Sequence, residues 1–99
     1  MLLRLILTIL AALLLTACDR PAISEEEAIA NVQASMRYLY AWQDDGTAQS
    51  CYTLVGSAWD EATADYKGNG RWRVEADAFT WDYFERTDEI LSVSNYRNC

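Results

Sequence analysis

Hydrophobic and polar residues alternate with a different rhythm in each part of this chain. Leu5 to Leu15 form an apolar run broken only by Thr8. Farther on, apolar residues recur at Ile29, Val32, Met36, Leu39 and Tyr40, the spacing of one helical face. Ile23-Ser24-Glu25-Glu26-Glu27 supplies the start of that helix. Ser24 is placed to cap it, with Glu27 completing a capping box, and the glutamates complement the positive end of the helix dipole. Asp44-Asp45-Gly46 supplies an end, because carboxylates are disfavoured at a helix carboxyl terminus and Gly permits the exit turn. The spacing therefore predicts one helix over 24–43. Thr47 to Asp60 has no readable period, and Cys51 to Val55 suits a short strand or a helical turn equally. Trp59 is assigned to the core.

From Asp60 onward the period is two. Ala62, Ala64 and Tyr66 alternate with Glu61, Thr63 and Asp65, and after Lys67-Gly68-Asn69-Gly70 the residues Trp72, Val74 and Ala76 alternate with Arg71, Arg73 and Glu75. A loop of Gly68, Asn69 and Gly70 pairs Tyr66 with Trp72 and Ala64 with Val74, so that all the apolar residues share a face. A tighter Asn-Gly loop that paired Gly68 with Arg71 would set Tyr66 opposite Arg73 and mix the faces. A strand from Phe79 to Glu85 continues the pattern, with Phe79, Trp81 and Tyr83 inward and Thr80, Asp82 and Phe84 outward. A turn at Arg86-Thr87-Asp88 then leads to a strand from Ile90, with Leu91 and Val93 inward. The expected fold class is α+β: one N-terminal helix packed on a three- to four-stranded antiparallel meander, in two layers.

The first apolar run follows Arg4 and is shorter than the roughly 20 residues that span a bilayer. Its layout is that of a secretory signal. It ends in Leu15-Thr16-Ala17-Cys18, which resembles the lipobox of bacterial lipoproteins. The resemblance implies cleavage between Ala17 and Cys18 and lipidation of the Cys18 thiol, with acyl chains such as palmitate as the membrane anchor. It further implies that Asp19 acts as a sorting signal. The expected division is a signal peptide at 1–17, a lipidated tether at 18–23 and a small domain at 24–99. The expected location is the bacterial cell membrane, lipid-anchored and facing the periplasm or the cell exterior.

Charge and cysteine count sharpen this picture. The 99 residues carry a net charge of -7, and loss of Arg4 with the signal leaves 7 basic against 15 acidic residues, or -8. Such a chain lacks the basic footprint of a nucleic-acid binder. Three cysteines less one for lipid leave Cys51 and Cys99, an even pair in an oxidising compartment, and a disulfide between them is expected. No histidine is present, which excludes Ser-His-Asp and Cys-His catalysis and histidine metal sites. Asp44-Asp45 and Asp60-Glu61 form no Asp-x-Asp-x-Asp-Gly calcium loop and suit helix ends and turns. Lys67-Gly68-Asn69-Gly70 joins strands and opens no helix, so it is a hairpin rather than a phosphate cradle. No enzyme, cofactor or metal is expected.

Aromatic residues are dense: four Trp, six Tyr and two Phe. Strand periodicity places most of them inside and leaves Phe84 and either Trp42 or Tyr38 over. Phe84 flanked by Arg73 and Arg86 is a candidate interaction patch. The opening ISEEEAI, the segment Trp72-Arg73-Val74 and the turn Thr87-Asp88-Glu89 resemble the PepSY-type modules of bacterial envelopes, although Asp88 stands where those have Gly. That resemblance implies a protein-binding or regulatory module. The expected function is a membrane-anchored envelope lipoprotein whose domain binds an envelope protein partner or serves a structural role. The alternatives are an aromatic surface for glycans or other ligands, and an acidic inhibitor of a basic hydrolase.

Overall fold

The computed structural model describes residues 19–99. The expected signal peptide and the lipidation and cleavage positions Ala17 and Cys18 lie outside the described residues. The fold is α+β, with two α-helices and two antiparallel sheets, one of four strands, among the described residues. Helix α1 spans Glu25–Met36, followed by a hairpin of β1 (Tyr40–Trp42) and β2 (Ala48–Ser50). Helix α2 (Cys51–Val55) and a 3-10 segment (Gly56–Glu61) lead into the larger sheet. That sheet comprises β3 (Thr63–Gly68), β4 (Arg71–Ala76), β5 (Phe79–Phe84) and β6 (Glu89–Ser92), in that spatial order. A 3-10 turn at Tyr96–Asn98 ends at Cys99. No helix among the described residues is long and apolar enough to cross a membrane.

The start of α1 follows from its sequence. Ser24 Oγ accepts the Glu27 N–H at 3.2 Å and lies 3.4 Å from Glu27 Oε1, to which the hydroxyl donates. Ala28, Val32 and Met36 are the buried stripe, set against β3 and β4. The helix stops well short of residue 43. After Arg37 the chain becomes extended, and Leu39 and Tyr40 lie outside the core instead of continuing the stripe. Asp44-Asp45-Gly46 is a hairpin turn rather than a helix end. Gln43 N–H donates to Thr47 O at 2.8 Å, and the Thr47 amide and hydroxyl donate to Asp45 Oδ1 at 3.0 and 2.6 Å. These hydrogen bonds hold the Asp45 carboxyl below the usual carboxylate range. Tyr and Trp also favour strands over helices. The hairpin turns the chain back, so that Cys51 lies beside Leu39, its amide donating to the Leu39 carbonyl at 2.7 Å.

The unreadable stretch after Thr47 therefore holds β2, a second helix and a 3-10 segment. Ser50 caps α2 by accepting the Thr53 N–H. Trp59 is buried, as expected, and stacks on Trp81 at 5.2 Å between ring centroids. Tyr52 stacks on the far side of Trp59, Phe79 on Trp81, and Tyr96 meets Phe79 edge-on. This column of rings runs from Tyr52 in α2 to the inner face of β5, and Met36 at the end of α1 lines a groove together with Trp81. Cys51 and Cys99 form a disulfide with Cα atoms 5.7 Å apart. The Cys99 carbonyl accepts Trp81 Nε1–H at 2.7 Å, which fastens the end of the chain beneath the sheet.

The β3–β4 register is Tyr66 with Trp72 and Ala64 with Val74. Yet Gly68 also pairs with Arg71. Both pairings coexist because Lys67 is an extra residue, a bulge that lets a tight Asn69-Gly70 turn close the hairpin without mixing faces. Asn69 and Gly70 have φ of 54° and 75°, the pair of left-handed residues that a type I′ turn needs. In β6 the expectation is reversed. Phe84 pairs with Glu89, so the connection holds Glu85, Arg86, Thr87 and Asp88 instead of a loop of three. One extra loop residue flips the strand. Ile90 lies opposite Tyr83 on the inner face, and Leu91 and Val93 are exposed rather than inward.

Candidate functional site

On the outer face of the larger sheet, Asp82 sits beneath two arginines. Arg73 Nε is 2.6 Å from Asp82 Oδ1 and Arg71 Nη1 is 3.3 Å from Oδ2. The Asp82 carboxylate, by hydrogen bond and charge, holds the Arg73 guanidinium above its ordinary pKa. Phe84 is half-buried next to Arg71 across the β4–β5 ladder, and the Arg86 stem lies over Gly70. Arg73 is therefore engaged with Asp82, and Arg86 sits at the β3–β4 turn. Register brings Arg71 of β4 and Glu89 of β6 beside Phe84, neither of them in the expected patch.

The expected sorting residue, Asp19, is exposed and accepts the Asn69 amide at 3.1 Å. The chain thus enters the domain at the β3–β4 turn. Asp60 and Glu61 lie in the 3-10 segment and share a polar cleft with Asp77. Among the described residues, no group of three His, Cys, Asp or Glu side chains is placed to hold a metal ion.

The opposite edge of the sheet carries a different surface. A groove of about 400 Å³ runs between the end of α1 and β6. Met36, Leu39, Trp81 and Ile90 provide its apolar lining, Ser35, Ser92, Asn98 and Cys99 its polar rim. Among the described residues, Asp88 is the one charged side chain that lines it. Asp88 is held in place by Tyr83, whose hydroxyl donates to Asp88 Oδ1 at 2.6 Å and accepts from Asn31 Nδ2 at 3.0 Å. Burial, then the hydrogen bond to Asp88, pushes the Tyr83 phenol up to about 12.

The groove opens beside exposed rings. Tyr38, Tyr40 and Trp42 are 86%, 66% and 72% exposed, and Leu39 reaches from the same segment into the groove. Tyr40 and Trp42 share the outer face of the β1–β2 ribbon, while Ala41 between them is buried. Both Trp42 and Tyr38 are therefore surface rings, where the sequence pattern left one or the other. Leu91 in β6 and Val93 just beyond it are exposed too, but on the outer face of the larger sheet, opposite the groove-lining Ile90 and Ser92. The signal for it was present as the strict alternation of Tyr38, Tyr40 and Trp42, masked because Met36, Leu39 and Tyr40 fit a helical period. Comparison with protein-family models, with curated proteins and with solved structures finds no match to this chain.

Proposed function

We propose that this chain is a lipid-anchored lipoprotein of the bacterial envelope, and that its small two-layer α+β domain is a protein-binding module. The observation that carries the binding role is the set of exposed rings Tyr38, Tyr40 and Trp42, together with Leu39 of the same segment, which lines the groove. Large apolar side chains gathered on one surface of a small domain mark an interaction site. The position of the tether supports the same reading. Asp19 docks at the β3–β4 turn, whereas the groove follows β6 at the other edge of the sheet. Three strand spacings, roughly 14 Å, separate the two edges. An anchor at Cys18 would enter at the β3–β4 turn, with the Ala22 amide donating to Glu85 Oε2 at 2.7 Å, and would leave the β6 edge open to a partner. The acidic surface, with a net charge of -8 after signal removal, keeps the domain off anionic headgroups. Its role is binding and not catalysis.

Two measurements test the two halves of this proposal. Intact mass of the membrane-extracted protein should fit residues 18–99 plus acyl chains, with two further thiols appearing on reduction. A mass that retains Met1 to Ala17 without lipid would overturn the anchor. A photo-crosslinking amino acid at Leu39 should give a protein adduct in the envelope, and one at Glu75, on the outer face of the sheet, should not. Equal yields from both positions, or none from either, would overturn the binding role. A second reading, a glycan-binding surface, is favoured by the paired outward rings of Tyr40 and Trp42. It predicts quenching of Trp42 fluorescence by soluble wall fragments.

A further inference from the structure

The free edge of the sheet points to the manner in which a partner is held, an inference that rests on the binding-module reading. Strand β6 is the last in the order β3-β4-β5-β6, so one side of its backbone has no neighbour within the sheet among the described residues. The phase of its ladder is fixed. Val93 N–H donates to Thr80 O at 2.8 Å, Thr80 N–H donates to Ser94 Oγ at 3.0 Å, and Asp88 N–H donates to Phe84 O at 2.8 Å. Thr80 and Phe84 therefore turn their backbone groups towards β6, and by alternation so does Asp82. On β6, Glu89, Leu91 and Val93 face β5, and Ile90 and Ser92 turn their N–H and C=O groups outward. The side chains of these same two residues line the groove.

Exposed edges are normally blunted by lysine, proline or a bulge. The segment Glu89-Ile90-Leu91-Ser92 has neither residue, and its pairing with β5 is regular. We propose that β6 receives an extended segment of a partner protein as a fifth strand, with alternate apolar side chains of that segment entering the groove between Leu39, Met36 and Ile90. Strand addition of this kind draws affinity from main-chain hydrogen bonds and selectivity from the pockets that receive alternate side chains. Charge identifies the occupant further. Asp88 and Glu89 stand at one end of the edge, no Lys or Arg among the described residues lines the groove, and the chain is acidic overall. The fitting segment is basic on its outward positions and β-branched or otherwise apolar on its inward ones. A second copy of this acidic chain would bring like charges together, which disfavours it as the occupant.

The probe is a capped peptide alternating lysine with valine, titrated into the purified full-length protein in detergent. Its counterpart has glutamate for lysine. Two further versions carry N-methyl groups on the valines only or on the lysines only, so that each removes one of the two alternating sets of backbone donors. The lysine peptide should bind and the glutamate peptide should not, with binding weakening as salt is raised. One methylated version should lose at least about tenfold in affinity and the other little, because only one set of donors faces β6. Leu39→Asp should also weaken binding at least about tenfold, with an unchanged near-UV circular dichroism spectrum showing that the half-exposed position leaves the fold intact. Equal sensitivity to both methylations, or to neither, would overturn strand addition. It would leave the binding-module reading to its own crosslinking test. No binding of any peptide, together with dimerisation that Leu39→Asp abolishes, would overturn the proposed occupant in favour of a second copy.

Discussion

Tyr83 shows how one residue ties the core to the candidate site. Its ring belongs to the inner face of β5, while its hydroxyl joins Asn31 on α1 to Asp88 at the groove. The phenol titrates at about 12 in the folded protein, against about 10 for free tyrosine. The native state therefore holds its proton where the unfolded chain has released it. Below pH 10 both states are protonated and the group adds no pH dependence. From about pH 10 to about 12 the unfolded state binds fewer protons, so stability falls as pH rises. Urea denaturation across that window should show this slope, and Tyr83→Phe should flatten it. An unaltered slope in the variant would show that another group governs the alkaline limit. Asp82 is a second residue of this kind. It faces outward by strand period, yet it is nearly buried because Arg71 and Arg73 fold over it. The period of a strand assigns a face, but exposure on that face depends on what the neighbouring strands carry.

Among the elements, the β3–β4 hairpin is the clearest case of local sequence directing geometry. Gly70 has φ of 75°, and a Cβ there would meet Arg86 Nε at 3.2 Å. Gly46, in the β1–β2 turn, has φ of 83° with open space around it. Alanine at Gly46 should cost about 1 kcal/mol for the left-handed backbone alone. Gly70→Ala should cost more, because Arg86 must also move away. Chemical denaturation of the two variants measures the difference, and equal costs would mean that Arg86 yields freely. The loop between β5 and β6 follows the same logic with a different outcome. Asp88 is left-handed, with φ of 60°, and its amide closes the turn on Phe84. That turn adds Glu85 to the connection and moves Leu91 and Val93 to the outer face. The flip puts Ile90 into the groove, so the candidate site exists because of the parity of one turn.

At the scale of the whole molecule, the disulfide is the principal staple. It closes a loop of 48 residues and holds the tail against the aromatic column. In the chain-entropy model, such a closure contributes about 4 kcal/mol. Domains are stable by only about 5–15 kcal/mol in all, so its loss takes a large share. Cys51→Ala with Cys99→Ala should therefore lower the unfolding free energy by about that amount. Tryptophan emission should also shift to the red, because Trp81 loses the Cys99 carbonyl and part of its cover. Unchanged emission together with unchanged stability would mean that Trp59 and Phe79 alone hold the column.

Features that depend on residues close together in the chain are legible from their order alone. These are the Ser24 cap of α1, the inward set Tyr66, Trp72, Val74, Phe79, Trp81 and Tyr83 apart from the half-buried Tyr66, and the cysteine pair left for a bridge. Each is set by a local hydrogen bond, a strand period or a count. Where α1 ends was settled by tertiary contacts, because Leu39 and Tyr40 fit a helical period while Tyr38, Tyr40 and Trp42 fit a strand period. That choice rests on the Asp45–Thr47 turn and on the return of Cys51 to Leu39, which a periodic pattern does not encode. The groove is decided at the same level. It needs the end of α1, the inner side of β6 and the bridged tail in one place, and these come from widely separated parts of the chain.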